Sequence, residues 1–154
     1  MARRVYFSFH YERDIFRVNQ VRNSWLMHPD RGSAGFWDAA ERETLLHAGE
    51  WAITQWIDGQ LRGTSVTVVL IGAETSTRQY VHYEIQESIR QRKGFVGIRI
   101  HRLRSIDGQN DTRGANPFDQ YEGGGTVPIY DWNADAGREN IGNWVEDAAR
   151  AAGR

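Results

Sequence analysis

Ser65-Val66-Thr67-Val68-Val69-Leu70-Ile71-Gly72 is an unbroken β-branched and aliphatic run that closes on glycine. A run of this kind is buried as a strand covered on both faces, the arrangement found in parallel sheets flanked by helices. Five residues further on, Thr77-Arg78-Gln79-Tyr80-Val81-His82-Tyr83-Glu84-Ile85-Gln86-Glu87-Ser88-Ile89 opens a helical pattern, predicted over 77–92. Glu84 then lies near the carboxyl edge of the sheet, where open parallel α/β sheets bind ligands. At about 100° per residue, Val81, Ile85, Ser88 and Ile89 form the inward stripe, and Glu84 sits about 60° to one side with Tyr80 and Gln91. It is therefore expected at the border of the buried face, able to look into a cleft. On these residues alone the simpler reading is an ordinary solvated glutamate.

The rest of the chain alternates in the same way. Strands are predicted over 5–9, 34–37, 65–72, 95–101 and 128–130, and helices over 14–25, 44–61, 77–92 and 137–149. The 44–61 helix is expected to run through Gly49 and Gly59. His28-Pro29-Asp30-Arg31-Gly32-Ser33 reads as a loop by its turn chemistry. Between 102 and 127 regularity disappears among Gly108, Gly114, Gly123, Gly124, Gly125 and Asn116-Pro117; a stretch of this kind is a functional or a mobile loop. Strands alternating with helices predict one domain over 1–154, an α/β flavodoxin-like three-layer sandwich of about five parallel strands.

Composition narrows the functions. The net charge of -1 leaves no electrostatic footprint for nucleic acid or an anionic membrane. With no cysteine, disulfides, thiolate metal sites and a cysteine nucleophile are excluded, and a cytoplasmic setting fits. No apolar run approaches the ~20 residues of a membrane-spanning helix, and the strand at the start leaves no room for a signal peptide. A phosphoacceptor receiver needs carboxylates where the first and third strands end, but these end in Ser8-Phe9-His10 and Ile71-Gly72-Ala73. A flavodoxin needs a small-residue phosphate loop where this chain has Phe9-His10-Tyr11-Glu12-Arg13-Asp14. No dinucleotide or Walker-type glycine loop is present, and no nucleophile elbow. The histidines at 10, 28, 47, 82 and 101 lack ligand spacing, so no metal is expected.

Several blocks, in order along the chain, resemble the TIR-like proteins of the Thoeris antiphage defence system. They are Arg4-Val5-Tyr6-Phe7-Ser8-Phe9-His10-Tyr11 with Asp14, Gln20-Val21-Arg22-Asn23-Ser24-Trp25, Gly35-Phe36-Trp37-Asp38, the 64–72 strand joined to Tyr80-Val81-His82-Tyr83-Glu84-Ile85, and Gly97-Ile98-Arg99-Ile100-His101 followed by Asn116-Pro117-Phe118. The Pro-Gly loop common in eukaryotic TIR adaptors is not found after Asp38.

The resemblance implies a NADase that breaks the nicotinamide–ribose bond of NAD, its substrate, and builds a cyclic or conjugated ADP-ribose signal. No cofactor is implied. The family's catalytic glutamate, on the helix after the third strand, falls on Glu84. Phe9, His10, Tyr11, Phe36, Trp37, Asp38 and Tyr80 are the expected substrate-binding residues, the aromatic ones as walls and stacking faces. Trp37 reads equally as core. Arg22, Asn23 and Trp25 are expected to be structural, His82 to be exposed or packing, and Asn116 to shape a turn or to close over substrate. A single domain of this size sends its output in trans, to a downstream effector activated by a diffusible product or by contact. Self-association is an open alternative, as is a non-catalytic TIR-like interaction module. If Glu84 is catalytic, Glu84→Gln is expected to abolish nicotinamide release at unchanged thermal stability.

Overall fold

A computed structural model describes residues 3–36 and 39–154. Five strands, β1 (Arg3–Ser8), β2 (Arg31–Ala34), β3 (Val66–Ile71), β4 (Gly94–Arg99) and β5 (Ile129–Asp131), form one sheet in the order β2-β1-β3-β4-β5. Every pairing is parallel. This is the flavodoxin-like order, with its switch point between β1 and β3. The helices are α1 (Tyr11–Leu26), α2 (Ala39–Ala48), α3 (Glu50–Leu61), α4 (Gln79–Arg90) and α5 (Gly137–Ala151). None among the described residues is long and apolar enough to cross a membrane.

Strand alternation sorts the side chains into two layers. On one face Val5, Phe7, Val66, Val68, Leu70, Val96 and Ile98 pack against Val18, Val21 and Trp25 of α1 and Ile141, Trp144 and Val145 of α5. On the other, Tyr6 meets Ile53, Ile57 and Leu61 of α3, while Val69 and Ile71 meet Val81 and Ile85 of α4. All of β3 is buried, as its composition requires.

Three expectations are corrected. The 44–61 helix is two helices that meet at Gly49, whose φ of 99° no α-helix can carry through. Gly59, by contrast, sits inside α3 without interrupting it. The second strand lies at Arg31–Ala34 instead of 34–37, taking three residues from the predicted loop. As an edge strand it needs backbone pairing on one side only, Arg3↔Arg31 to Tyr6↔Ala34, and Ala34 alone is fully buried. Ile89, assigned to the inward stripe of the 77–92 helix, is 48% exposed. The buried positions of α4 are Val81, Glu84, Ile85 and Ser88, an i, i+3, i+4, i+7 set that takes Glu84 into the buried stripe and leaves Ile89 outside it.

The 102–127 segment holds only two 3-10 turns, Pro117–Gln120 and Gly124–Thr126, yet it is tied down. Arg13 forms a two-pronged bond to Asp111 at 2.8 Å per arm. Arg17 donates to the carbonyls of Leu103 (2.7 Å) and Gln109 (2.9 Å). The Arg13 guanidinium holds the Asp111 carboxyl down at about 2.

Candidate active site

Tyr6 and Ser8 stand two apart on β1, so their side chains share one face of the sheet. That face meets α4, where Glu84 is buried at 7% exposure. The Tyr6 hydroxyl donates to Glu84 Oε2 and the Ser8 hydroxyl to Oε1 at 2.7 Å. One turn further along α4, Ser88 bonds to Thr67 of β3 at 2.6 Å and to the Glu84 carbonyl at 2.7 Å, fixing the rotation of the helix on the sheet. Burial pushes the Glu84 carboxyl up to about 7, against the two hydroxyls, which favour its charged form. Burial and the neighbouring Glu84 push the Tyr6 phenol well above its ordinary range. The arrangement is a carboxylate poised near neutrality and oriented by two hydroxyl donors.

Glu84 lies at a cavity of about 240 Å3 at the carboxyl edge of the sheet. Phe9, His10 and Tyr11 line it from the junction of β1 and α1, and Arg78, Gln79 and Tyr80 from the start of α4. Arg42 and Leu46 of α2 and Trp56 and Ile57 of α3 complete the wall. Phe9 and Tyr11 are stacked, with ring centroids 6.3 Å apart. The Arg42 guanidinium lies 4.5 Å from the Tyr11 ring centre and pairs with Glu12. His10 is buried, its Nε2 3.3 Å from Glu12 Oε2, and its Nδ1 has no hydrogen-bond partner. Burial and nearby Arg78 lower the pKa of His10, so its imidazole is neutral at physiological pH. The amino end of α4 borders the cavity and favours negative charge there. The cavity thus combines aromatic faces, an anion-favouring rim and one buried carboxylate.

Of the residues expected from sequence, Phe9, His10, Tyr11, Tyr80 and Glu84 come together here. Phe36 does not line the cavity. It packs 5.1 Å from Phe9 and 5.6 Å from Phe7, with Arg22 stacked 4.4 Å from its ring centre. Trp37 and Asp38 lie outside the described residues. Trp25 is buried and donates from Nε1 to the Gly32 carbonyl at 3.0 Å, the structural role expected of it. His82 is packed between the Tyr121 hydroxyl (2.7 Å) and the Ser76 carbonyl (2.6 Å). Asn116 accepts the Phe118 N–H at 2.9 Å and shapes a turn.

Tyr6, Ser8, Arg42 and Trp56 were missed. Tyr6 and Ser8 carry a readable signal, two hydroxyl side chains at period two among the apolar Val5, Phe7 and Phe9. Arg42 and Trp56 carry none, because nothing local tells which face of α2 or α3 meets the cavity.

The family model described as Thoeris protein ThsB, TIR-like domain, matches residues 6–105. That span contains every residue lining the cavity. A curated relative from Bacillus cereus (strain MSX-D12), named "Putative cyclic ADP-D-ribose synthase ThsB1", is 40% identical over 152 residues. The match covers 95% of this chain and 76% of the relative.

Proposed function

Since the chain belongs to the Thoeris ThsB TIR-like family, we propose that it cleaves NAD at the nicotinamide–ribose bond and turns the ADP-ribosyl unit into a cyclic ADP-ribose-type signal for a downstream effector. The observation that carries the chemistry is Glu84, buried at the cavity with two hydroxyl donors on its oxygens and a carboxyl at about 7.

As the C–N bond breaks, its electron pair leaves with nicotinamide, which departs neutral, and positive charge develops on the ribose. A carboxylate fixed beside the ribose stabilises that charge without reorganising. Nicotinamide needs no strong general acid to leave. Attack by a nucleophilic atom of the same ADP-ribosyl unit closes the ring, and the proton released from that atom has an acceptor in Glu84. The aromatic wall of Phe9, Tyr11, Trp56 and Tyr80 keeps water from intercepting the cation. The amino end of α4 and Arg42 suit the pyrophosphate.

Incubation with NAD, with and without lysate of infected cells, followed by mass spectrometry, tests this reading. Nicotinamide is expected together with a product isobaric with cyclic ADP-ribose. Unchanged NAD under every condition would sink the proposal.

A second expectation concerns Tyr6. Its hydroxyl holds the Glu84 carboxyl lower than burial alone would. Tyr6→Phe removes that donor, so the acid limb of the pH–rate profile, expected near 7 in the wild type, moves up by about one unit. An acid limb that stays in place would mean that Glu84 ionisation does not govern the rate.

A further inference from the structure

A second cleft, of about 380 Å3, opens at the carboxyl ends of β4 and β5. It shares no lining residue with the Glu84 cavity. Arg99 ends β4, His101 and Arg102 follow it, and Arg113 comes from the next loop, so separate segments bring basic groups to one place. His101 is buried at 8% exposure, yet its Nδ1 has no hydrogen-bond partner. A buried polar nitrogen without a partner is rare, because leaving it unpaired costs free energy. Arg99 spends one arm, Nη1, on the Gly114 carbonyl at 2.7 Å, which leaves the rest of its fork for a ligand.

The carboxylates in the cleft are largely committed to its own turn. Asp131 Oδ1 accepts the N–H groups of Asn133 and Ala134 at 2.9 Å, and its Oδ2 lies 3.4 Å from Arg102 Nε. Asp135 Oδ2 accepts the Asp131 N–H at 2.7 Å. Among the lining residues three guanidinium groups stand against these two carboxylates, with Asp119 close enough to act on Arg99 from outside the lining. Burial, and then the neighbouring Arg113, lower the pKa of Arg99, and the charge of a bound anion offsets both costs.

We propose that this cleft is a second ligand site, which takes a phosphorylated small molecule and holds its phosphoryl group with Arg99, His101, Arg102 and Arg113. Guanidinium forks match phosphate oxygens in pairs. His101 supplies a donor from Nδ1 in the tautomer that protonates it. The site lies on the edge of the sheet that parallel α/β folds use for ligands, but away from the β1–β3 switch point. It is independent of any role for Glu84.

Titration of the isotope-labelled protein with inorganic phosphate, pyrophosphate and ADP-ribose at constant ionic strength, followed by amide NMR, tests the site. Saturable shifts are expected at residues 99–102 and 113. Arg102 and Arg113 are exposed, so alanine at either leaves the fold intact, as an otherwise unchanged spectrum will verify. Each substitution is expected to weaken binding by about tenfold or more. The ratio among the three probes separates a free phosphate ligand from a nucleotide. Shifts that do not saturate, persist undiminished in both variants, or fall instead on residues 42 and 78–84 would overturn the proposal.

Discussion

Glu84→Gln should slow nicotinamide release by about a thousandfold or more, the scale on which a preorganised electrostatic contact to a transition state acts. The glutamine keeps the shape, accepting one of the Tyr6 and Ser8 hydroxyls on its oxygen and donating to the other from its NH2 group, but it offers no negative charge to the ribose. The same substitution should stabilise the protein. Glu84 is buried and its carboxyl stands at about 7, above its ordinary value of 4.5. A carboxyl raised on folding destabilises the folded chain once it ionises, by up to about 3 kcal/mol here. The unchanged stability expected from sequence is therefore replaced by a gain, measurable as a higher unfolding midpoint near about pH 8. Loss of activity with a stability gain identifies a residue held for function at the expense of the fold. Retained turnover would remove Glu84 from the chemistry.

Asp14→Asn should also stabilise the protein, with a pH dependence that reports the cause. Asp14 is 0% exposed, and neither carboxyl oxygen has a hydrogen-bond partner. Its closest cation is Arg17, Nη1 to Oδ1 at 3.9 Å. The side chain fits only because residue 72 is glycine; a Cβ there would stand 2.1 Å from Asp14 Oδ2. Burial, outweighing the Arg17 charge, pushes the carboxyl up to about 6 from 3.8. The folded chain thus holds this proton more tightly than the unfolded chain. The stability this lends is fully present below about pH 4 and is lost as pH rises through about 6.

Asparagine carries no such penalty, so in urea unfolding the variant should match the wild type near about pH 4 and exceed it by about 2–3 kcal/mol near about pH 8. The difference between the two proteins is the quantity to measure. Buried His10 and His101, whose pKa values are lowered, work in the opposite sense on both. As pH falls through their range each loses stability, but that loss cancels in the comparison. A difference that does not vary with pH would show that folding leaves the Asp14 carboxyl at its ordinary value.

Much of the architecture was legible because it rests on period. The 65–72 run required a strand covered on both faces, and the alternation of strands and helices required a parallel sheet. The ordered blocks led to the family that the comparisons show. Breaks and edges were less legible. Gly49 ends a helix where Gly59 does not, a distinction that lies in the backbone angle each adopts. The edge strand Arg31–Ala34 has too little apolar pattern to reveal itself, because it is held by main-chain pairing.

At the candidate site, sequence determined that a glutamate follows an aromatic-Val motif on the helix after β3, and that aromatic and basic residues follow β1. For the rotation of that helix on the sheet, periodicity placed Ile89 inward and Glu84 at the border of the stripe. Tertiary packing decided the rotation: with Ser88 bonded to Thr67, Ile89 faces outward and Glu84 turns in between Tyr6 and Ser8. Helical period sets which residues share a face, but packing against the other layer chooses which face is buried. That choice makes Glu84 a buried, hydroxyl-held carboxyl at about 7 instead of a solvated one.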